Sequence, residues 1–470
     1  MRENTWYIFN ILLLGEGMYI IIIGCGKVGL SLAEQLSDEN HDITLVDSSA
    51  DKLQNLSDDL DAMKVLGNGA SISTLQDAGI ERADILIAVT GSDELNLLCC
   101  LIAKKAGHAS TIARVRNPIY NNEIDFIRES IGLSMIINPE LAAATEISRI
   151  LRFPSAIKID TFAKGRAELL KFKLKPEFHL GGNRIMDIMD RYHCDILFCS
   201  AERDNTVYIP DGNFILQDGD VISIIATPTN AAEFFRKVGL KTNQVKNTMI
   251  VGGGTIAYYL AKQLQDMKIR VRIIELNRDH CEHLSKILPG VTVINGDGTN
   301  RDLLMQEGLP HTESFVSLTN MDEENIFLSL FAQQQNSSLK TVTKVNRVAY
   351  TEIIDRLDIG SVIYPKYITA DYILQYVRAM QNSIGSNVET LYQILDNKAE
   401  ALEFAVHETS GVTNIPLSEL NLKKNLLIGC ISRGGNTWIP RGGDSIQVGD
   451  RVIVVTTQLG LNDLKDILRK

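Results

Sequence analysis

None of the seven cysteines stands in a CxxC pair, and an odd number scattered through 470 residues gives no disulfide framework. Such usage is that of a reduced, cytosolic chain. Long apolar runs are also missing. The leading stretch, Trp6 to Leu14, is nine residues broken by Asn10, against about 20 needed to cross a bilayer. Basic residues are in deficit: 47 Lys and Arg face 58 Asp and Glu, for a net charge of −11. An acidic surface repels phosphate backbones, so nucleic acid is not an expected partner. Neither HExxH nor GxSxG occurs, and the histidines form no constellation. His193, Cys194 and Cys199 make a metal set only on paper.

What is present is a sequence written twice. Ile21–Gly29, IIIGCGKVG, returns as Met249–Ala257, MIVGGGTIA, so that Gly24, Gly26 and Gly29 fall on Gly252, Gly254 and Ala257. Asp47, ending TLVD, falls on Glu275, ending RIIE. Gly67-Asn68-Gly69 returns as Gly296-Asp297-Gly298, Thr90 and Asp93 as Thr319 and Asp322, and Tyr208-Ile209-Pro210 as Trp438-Ile439-Pro440. A slowly drifting offset across the whole chain means duplication of one large unit. The repeat also judges the histidines. The places of Cys194 and Cys199 are taken by Asn425 and Cys430 with no histidine, which discounts the metal set. His179 and His193 have no counterparts, and His407 falls elsewhere.

Within each copy, buried β-branched runs alternate with helical spacing. Ile20–Ile23, His41–Asp47, Lys64–Leu66, Asp84–Val89 and Thr111–Val115 read as strands of a doubly wound parallel sheet. A proline-led helix follows each, Glu140–Leu151 and Ile368–Met380. Then comes a smaller segment of strand-like runs and Asp-Gly turns. The expected organisation is a leader over 1–17; a Rossmann domain over 18–138, a linking helix over 139–160 and a small domain over 161–240; then 246–365, 366–386 and 387–470 as the second set. Met18 stands where the fold should begin, which suggests a natural start there.

The glycine loops carry the chemistry. Gly24 makes the tight turn, Gly26 lets a diphosphate approach the backbone, and Gly29 lets helix pack on sheet. GxGxxG alone is weak. Here it follows a buried strand, opens a helix, and an acidic residue closes the next strand 18 positions after Gly29. Asp47 and Glu275 are expected to accept from adenosine ribose hydroxyls, favouring NAD(H) over NADP(H). Ribose recognition does not separate NAD from ATP or ADP. Thr90-Gly91 and Thr319-Asn320 lie at the ends of the fourth strands, where ligands of open α/β sheets bind. Thr-x-x-Asp also reads as a helix-capping signal. Arg114 and Lys344, ending the fifth strands, are candidates to meet phosphate charge, with a surface ion pair as the alternative. Cys25 reads as a small residue tolerated in the loop.

A five-strand Rossmann unit with this fingerprint and an acidic second-strand end resembles an RCK, or TrkA-N, domain. The small Ile-Pro-Asp-Gly…Gln-Asp-Gly-Asp-Val segment resembles TrkA-C, and two such pairs in tandem resemble the peripheral NAD-binding subunits of bacterial Trk potassium uptake systems. The resemblance implies a non-enzymatic regulatory subunit on the cytoplasmic face of the inner membrane. It implies a TrkH- or TrkG-like potassium-translocating partner and a homotetrameric ring. It implies a first NAD site of Gly24, Cys25, Gly26, Lys27, Val28, Gly29, Asp47, Thr90, Gly91 and Arg114. The second comprises Gly252, Gly253, Gly254, Thr255, Ile256, Glu275, Thr319, Asn320 and Lys344. Two alternatives stand beside it: an NAD-dependent oxidoreductase, for which the small segments offer no proton donor, and a ligand-sensing subunit of another transporter.

Overall fold

A computed structural model describes residues 17–469 apart from 57–59, 122, 154–156, 163–165, 205, 240–244, 347–353, 355–356, 358, 384–387, 395–398, 459–460 and 462. The leader thus lies almost wholly outside the described residues. The chain divides into two compact units, residues 1–142 with Pro365–Val377, and Ala143–Tyr364 with Arg378–Lys470.

In the first unit, β1 (Tyr19–Ile23), β2 (Asp42–Asp47), β3 (Ala62–Leu66), β4 (Ile85–Ala88), β5 (Ser110–Arg114) and β6 (Met135–Ile137) form one parallel sheet ordered β3-β2-β1-β4-β5-β6. The run of isoleucines in β1 is buried because both faces of a doubly wound sheet are covered. The sixth strand escapes sequence reading because three residues carry no periodicity. Strand order reverses between β1 and β4, which opens a crevice at the carboxyl ends of those strands. The unit also contains the first part of the helix Pro365–Ser383, whose Ile373, Leu374 and Val377 are buried.

In the second unit the small sheet of β7 (Lys158–Phe162), β8 (Ala167–Lys173), β9 (Ile196–Arg203), β10 (Thr206–Tyr208) and β11 (Val221–Ala226) runs antiparallel in the order β10-β9-β11-β8-β7. Helices Ile185–Tyr192 and Pro228–Lys237 complete it. The strand-like reading of this segment missed both.

The second parallel sheet holds β12 (Asn247–Val251), β13 (Arg270–Glu275), β14 (Thr292–Asn295), β15 (Ser314–Ser317), β16 (Lys340–Lys344) and β17 (Ser361–Ile363), ordered β14-β13-β12-β15-β16-β17. Its helix Thr255–Asp266 meets the helix Pro139–Arg152, where Gln263 Nε2 donates to Thr145 Oγ1 at 2.9 Å. The linking helix of the first repeat therefore serves the second repeat's sheet.

The last sheet, β18 (Val388–Ile394), β19 (Ala399–Ala405), β20 (Leu426–Arg433), β21 (Asn436–Trp438) and β22 (Arg451–Thr456), repeats the small-sheet topology as β18-β19-β22-β20-β21. The two small sheets share one apolar cluster. Phe162, Leu169, Cys199 and Ile225 of one pack with Ala401, Cys430, Ile453 and Val455 of the other. A side chain on Gly429 would come within 2.6 Å of Ile225 Cδ1, so glycine there permits the close approach.

Candidate functional site

Each parallel sheet presents a glycine loop at the crevice. In the first, Gly24 has φ +105° and lies so close to the end of β4 that a Cβ would be 3.0 Å from the Thr90 nitrogen. Gly29 is closer still: its Cβ would sit 2.0 Å from the Gly24 carbonyl oxygen. A Cβ on Gly26 would meet nothing within 4 Å. The helix Lys27–Asp38 starts there with no side-chain cap. Open space above backbone N–H groups at a helix start is what a diphosphate requires.

Asp47 ends β2 with its carboxylate under this loop. The N–H of Cys25 donates to Oδ2 at 2.7 Å, the N–H of Ser49 to Oδ1 at 2.9 Å, and Lys52 Nζ lies 3.2 Å from Oδ2. Burial pushes the Asp47 carboxyl up, but these bonds and the lysine charge outweigh it and hold it below the usual carboxylate range. Cys25 is not activated. Burial, reinforced by Asp47, pushes its thiol up to about 12.

The second loop repeats this with a longer acid. Gly253 donates to Glu275 Oε2 and Asn277 to Glu275 Oε1, both at 2.8 Å, while His280 Nδ1 lies 3.8 Å from Oε2. Gly252 has φ +97°, and a Cβ on Gly254 would again meet nothing within 4 Å. Thr255 and Ile256 open the helix. Both cradles fit an adenine nucleotide: a carboxylate for the ribose diol lies beside a side-chain-free approach to the loop.

The strand ends differ from the capping reading. Thr90 donates its N–H (2.8 Å) and its hydroxyl (2.7 Å) to Asn96 Oδ1. The cap of the helix Asp93–Ala106 is Ser92, which accepts from the Leu95 N–H. Thr319 likewise gives both groups to Asn325 Oδ1 at 2.9 Å, and no side chain caps its helix. The threonines face inward, so Thr-x-x-Asp is not a capping box here. Asn96 and Asn325, fully buried, turn their amides to the carbonyls of Arg114 and Lys344 at 2.9 and 3.0 Å, tying the fourth strand to the fifth. Asp93 accepts from the N–H groups of Arg116 and Asn117, and Asp322 from that of Asn346. Sequence reading missed these asparagines. Their recurrence three residues after each aspartate was the available signal.

Arg114 donates to the Thr90 carbonyl, and Arg116 to the Gly91 carbonyl at 2.6 Å. Burial, with Arg116 adding to it, lowers Arg114, while Glu140 and Asp93 oppose the shift. Glu140 is raised by burial against the pull of both arginines. Lys344 is buried. The glycines and carboxylates thus share one place in each half. Arg114 and Lys344 stand at the neighbouring strand ends, with the Arg114 guanidinium engaged by protein.

Among the described residues no helix is long and apolar enough to cross a membrane. The TrkA-N domain model matches residues 20–139 and 248–365, and the TrkA-C domain model 171–239 and 401–469. A Trk system potassium uptake protein TrkA homolog 1 of Methanosarcina mazei is 32% identical over 445 residues, 93% of this chain and 97% of that protein. The Trk system potassium uptake protein TrkA of Haemophilus influenzae is 32% identical over 457 residues, 96% and 97% of the two chains. In fold, the chain resembles the GsuK RCK domain (TM-score 0.62, 17% identity, 94% and 93% covered) and the GsuK channel bound to NAD (TM-score 0.62, 17% identity, 97% and 81% covered). With both domain models matched twice in tandem and full-length relatives above 30% identity, the chain belongs to the family of Trk system potassium uptake proteins TrkA.

Proposed function

We propose that this chain is a nucleotide-sensing, non-enzymatic regulatory subunit of a Trk-type potassium uptake system. It would bind NAD(H), with ATP and ADP as further candidates, at two sites per chain. The observation that carries this reading is the recurrence of one arrangement in both halves: a carboxylate accepting from the glycine-loop N–H and from the residue two positions on. The sequence of the small segments offers no proton-donor constellation, which is why sensing is favoured over hydride transfer.

Gly24–Gly29 and Gly252–Ile256 would receive the diphosphates, Asp47 and Glu275 the ribose hydroxyls, and Thr90, Gly91, Arg114, Thr319 and Lys344 the strand-end side of each pocket. A ligand moves a conformational equilibrium only by its differential affinity for the states. Nucleotides sharing adenosine but differing in charge beyond it can therefore push the chain to different extents. The partner on this reading is a TrkH- or TrkG-like membrane subunit at the cytoplasmic face of the inner membrane, and the assembly a homotetrameric ring. The relatives' names support the transport role.

A pull-down from solubilised membranes, with and without NADH, tests it. A potassium-translocating subunit is expected in the eluate, in an amount or salt-resistance that NADH changes. Hydride transfer to a substrate without such a partner would favour the oxidoreductase instead.

A further inference from the structure

We propose that the two sites grip the adenine base with leucines from different places in the fold, Leu66 at the end of β3 in the first and Leu276 in the turn after β13 in the second. This deepens the nucleotide-site reading and rests on it. The two halves align position by position around the ribose carboxylate. Leu66 ends β3 directly across from Asp47, and Asn295 ends β14 directly across from Glu275. The residue after each carboxylate is Ser48 in the first half and Leu276 in the second. Leucine and polar residue have thus exchanged places: Ser48 with Leu66, Leu276 with Asn295.

Both leucines are exposed, Leu66 by 60% and Leu276 by 71%. A single exposed leucine needs no explanation. One within a residue of each ribose carboxylate, on alternate sides, does. The adenosine ribose that meets the carboxylate carries the base on its next carbon, so the base reaches these positions. An uncharged flat base laid on a leucine removes apolar surface of both from water.

Asn295 supports the arrangement in the second half. Its amide donates to the carbonyls of Glu275 at 3.2 Å and Leu276 at 2.9 Å, pinning the turn that carries Leu276. In the first half Leu66 has no amide to pin the turn, and it supplies the apolar surface itself. The first site is therefore built to hold the base from the β3 side and the second from the turn after β13. Base selectivity can then be tuned in one site without touching the other.

Isothermal titration of the full-length chain with ADP tests this. Leu66→Ser is expected to weaken one of two binding events about tenfold, ~1.4 kcal/mol, and leave the other. Leu276→Ser should do the converse, and the double variant should weaken both. Leu66→Met and Leu276→Met keep an apolar surface and should bind as wild type, which separates a lost base contact from a disturbed strand end. Unchanged ADP binding in both serine variants, alongside loss in Asp47→Ala and Glu275→Ala, would overturn the leucine contact and leave the sites standing. An effect in only one serine variant would overturn the exchange. No ADP binding by the wild-type chain would end the site reading itself.

Discussion

The two parallel sheets have the same strand order and the same carboxylate-to-loop bonds, yet they reach them with different side chains. The first combines a short acid, Asp47, with a side chain in the loop, Cys25. The second combines a longer acid, Glu275, with Gly253. These are one change seen twice. A Cβ on Gly253 would stand 3.0 Å from Glu275 Oε2 and 2.7 Å from Leu284 Cδ1, so Leu284 and the glutamate side chain leave no room there for a side chain like that of Cys25. Donor–acceptor distances come out alike, 2.7 Å to Asp47 and 2.8 Å to Glu275. The third fingerprint position shows the opposite tolerance. Gly29 leaves no space for a methyl, whereas Ala257 is accommodated, fully buried. Geometry at the ligand is held while the packing behind it drifts.

The largest effect should come from forcing one half's loop onto the other half's acid. Gly253→Cys drives a side chain into Leu284 and Glu275 at distances that require movement. Nucleotide stoichiometry by isothermal titration is expected to fall from two per chain toward one. Gly253→Cys with Glu275→Asp recreates the first half's pair and should recover most of the lost binding. If the double variant binds no better than the single, the two positions are not coupled.

Much of this was legible in sequence because duplication supplies its own control. Gly24, Gly26, Asp47 and their partners were found because strand, loop and acid recur in register. The coupling of Cys25 with Asp47 was not legible, because a loop cysteine and a carboxylate 22 positions on show no relation until a backbone N–H joins them. For Thr90 and Thr319 the sequence left ligand contact and helix capping side by side, because Thr-x-x-Asp is a local pattern. A buried asparagine in the first turn of the following helix accepts from both the threonine N–H and its hydroxyl. Lys52 was overlooked since a surface lysine one turn into a helix has many uses, and only the fold brings it to Asp47. The short strands β6 and β17 carry too few residues for any period to declare them.

A second contrast lies beneath the helix that follows β4 and β15. The first half packs Ala88, Cys100 and Ala113 there, all fully buried. The second half has Ser317, Ser329 and Thr343 at the matching places, also fully buried. Thr343 Oγ1 donates to Ser329 Oγ at 2.7 Å, Ser317 and Ser329 hydroxyls lie 3.0 Å apart, and Ser317 Oγ reaches the Asn325 carbonyl at 3.1 Å. Removing Ser329 takes the acceptor from the buried Thr343 hydroxyl, while Ser317 keeps the Asn325 carbonyl. Ser329→Ala should therefore destabilise the second unit by about 1–3 kcal/mol, read as a lower urea midpoint. Replacing all three by Ala, Cys and Ala removes the polar groups together and should cost less than the single change. A triple variant less stable than Ser329→Ala would show that the hydroxyls stabilise beyond their mutual satisfaction.

A last contrast concerns β16, which begins with Lys340 where β5 begins with Ser110. Burial, with the nearby charge of Lys175 adding to it, lowers Lys340 to about 7. An unfolded lysine keeps its proton to about 10.4. Between those limits the unfolded chain binds more protons than the folded one, so this residue makes stability rise with pH from about 7 to about 10.4. Below that window the folded lysine is protonated as well, and the slope vanishes. Lys340→Ser, which copies the first half, should flatten that rise in thermal unfolding midpoints measured from pH 7 to pH 10 and raise stability most at pH 7. An unchanged slope would mean that Lys340 keeps its charge throughout, compensated by its neighbours.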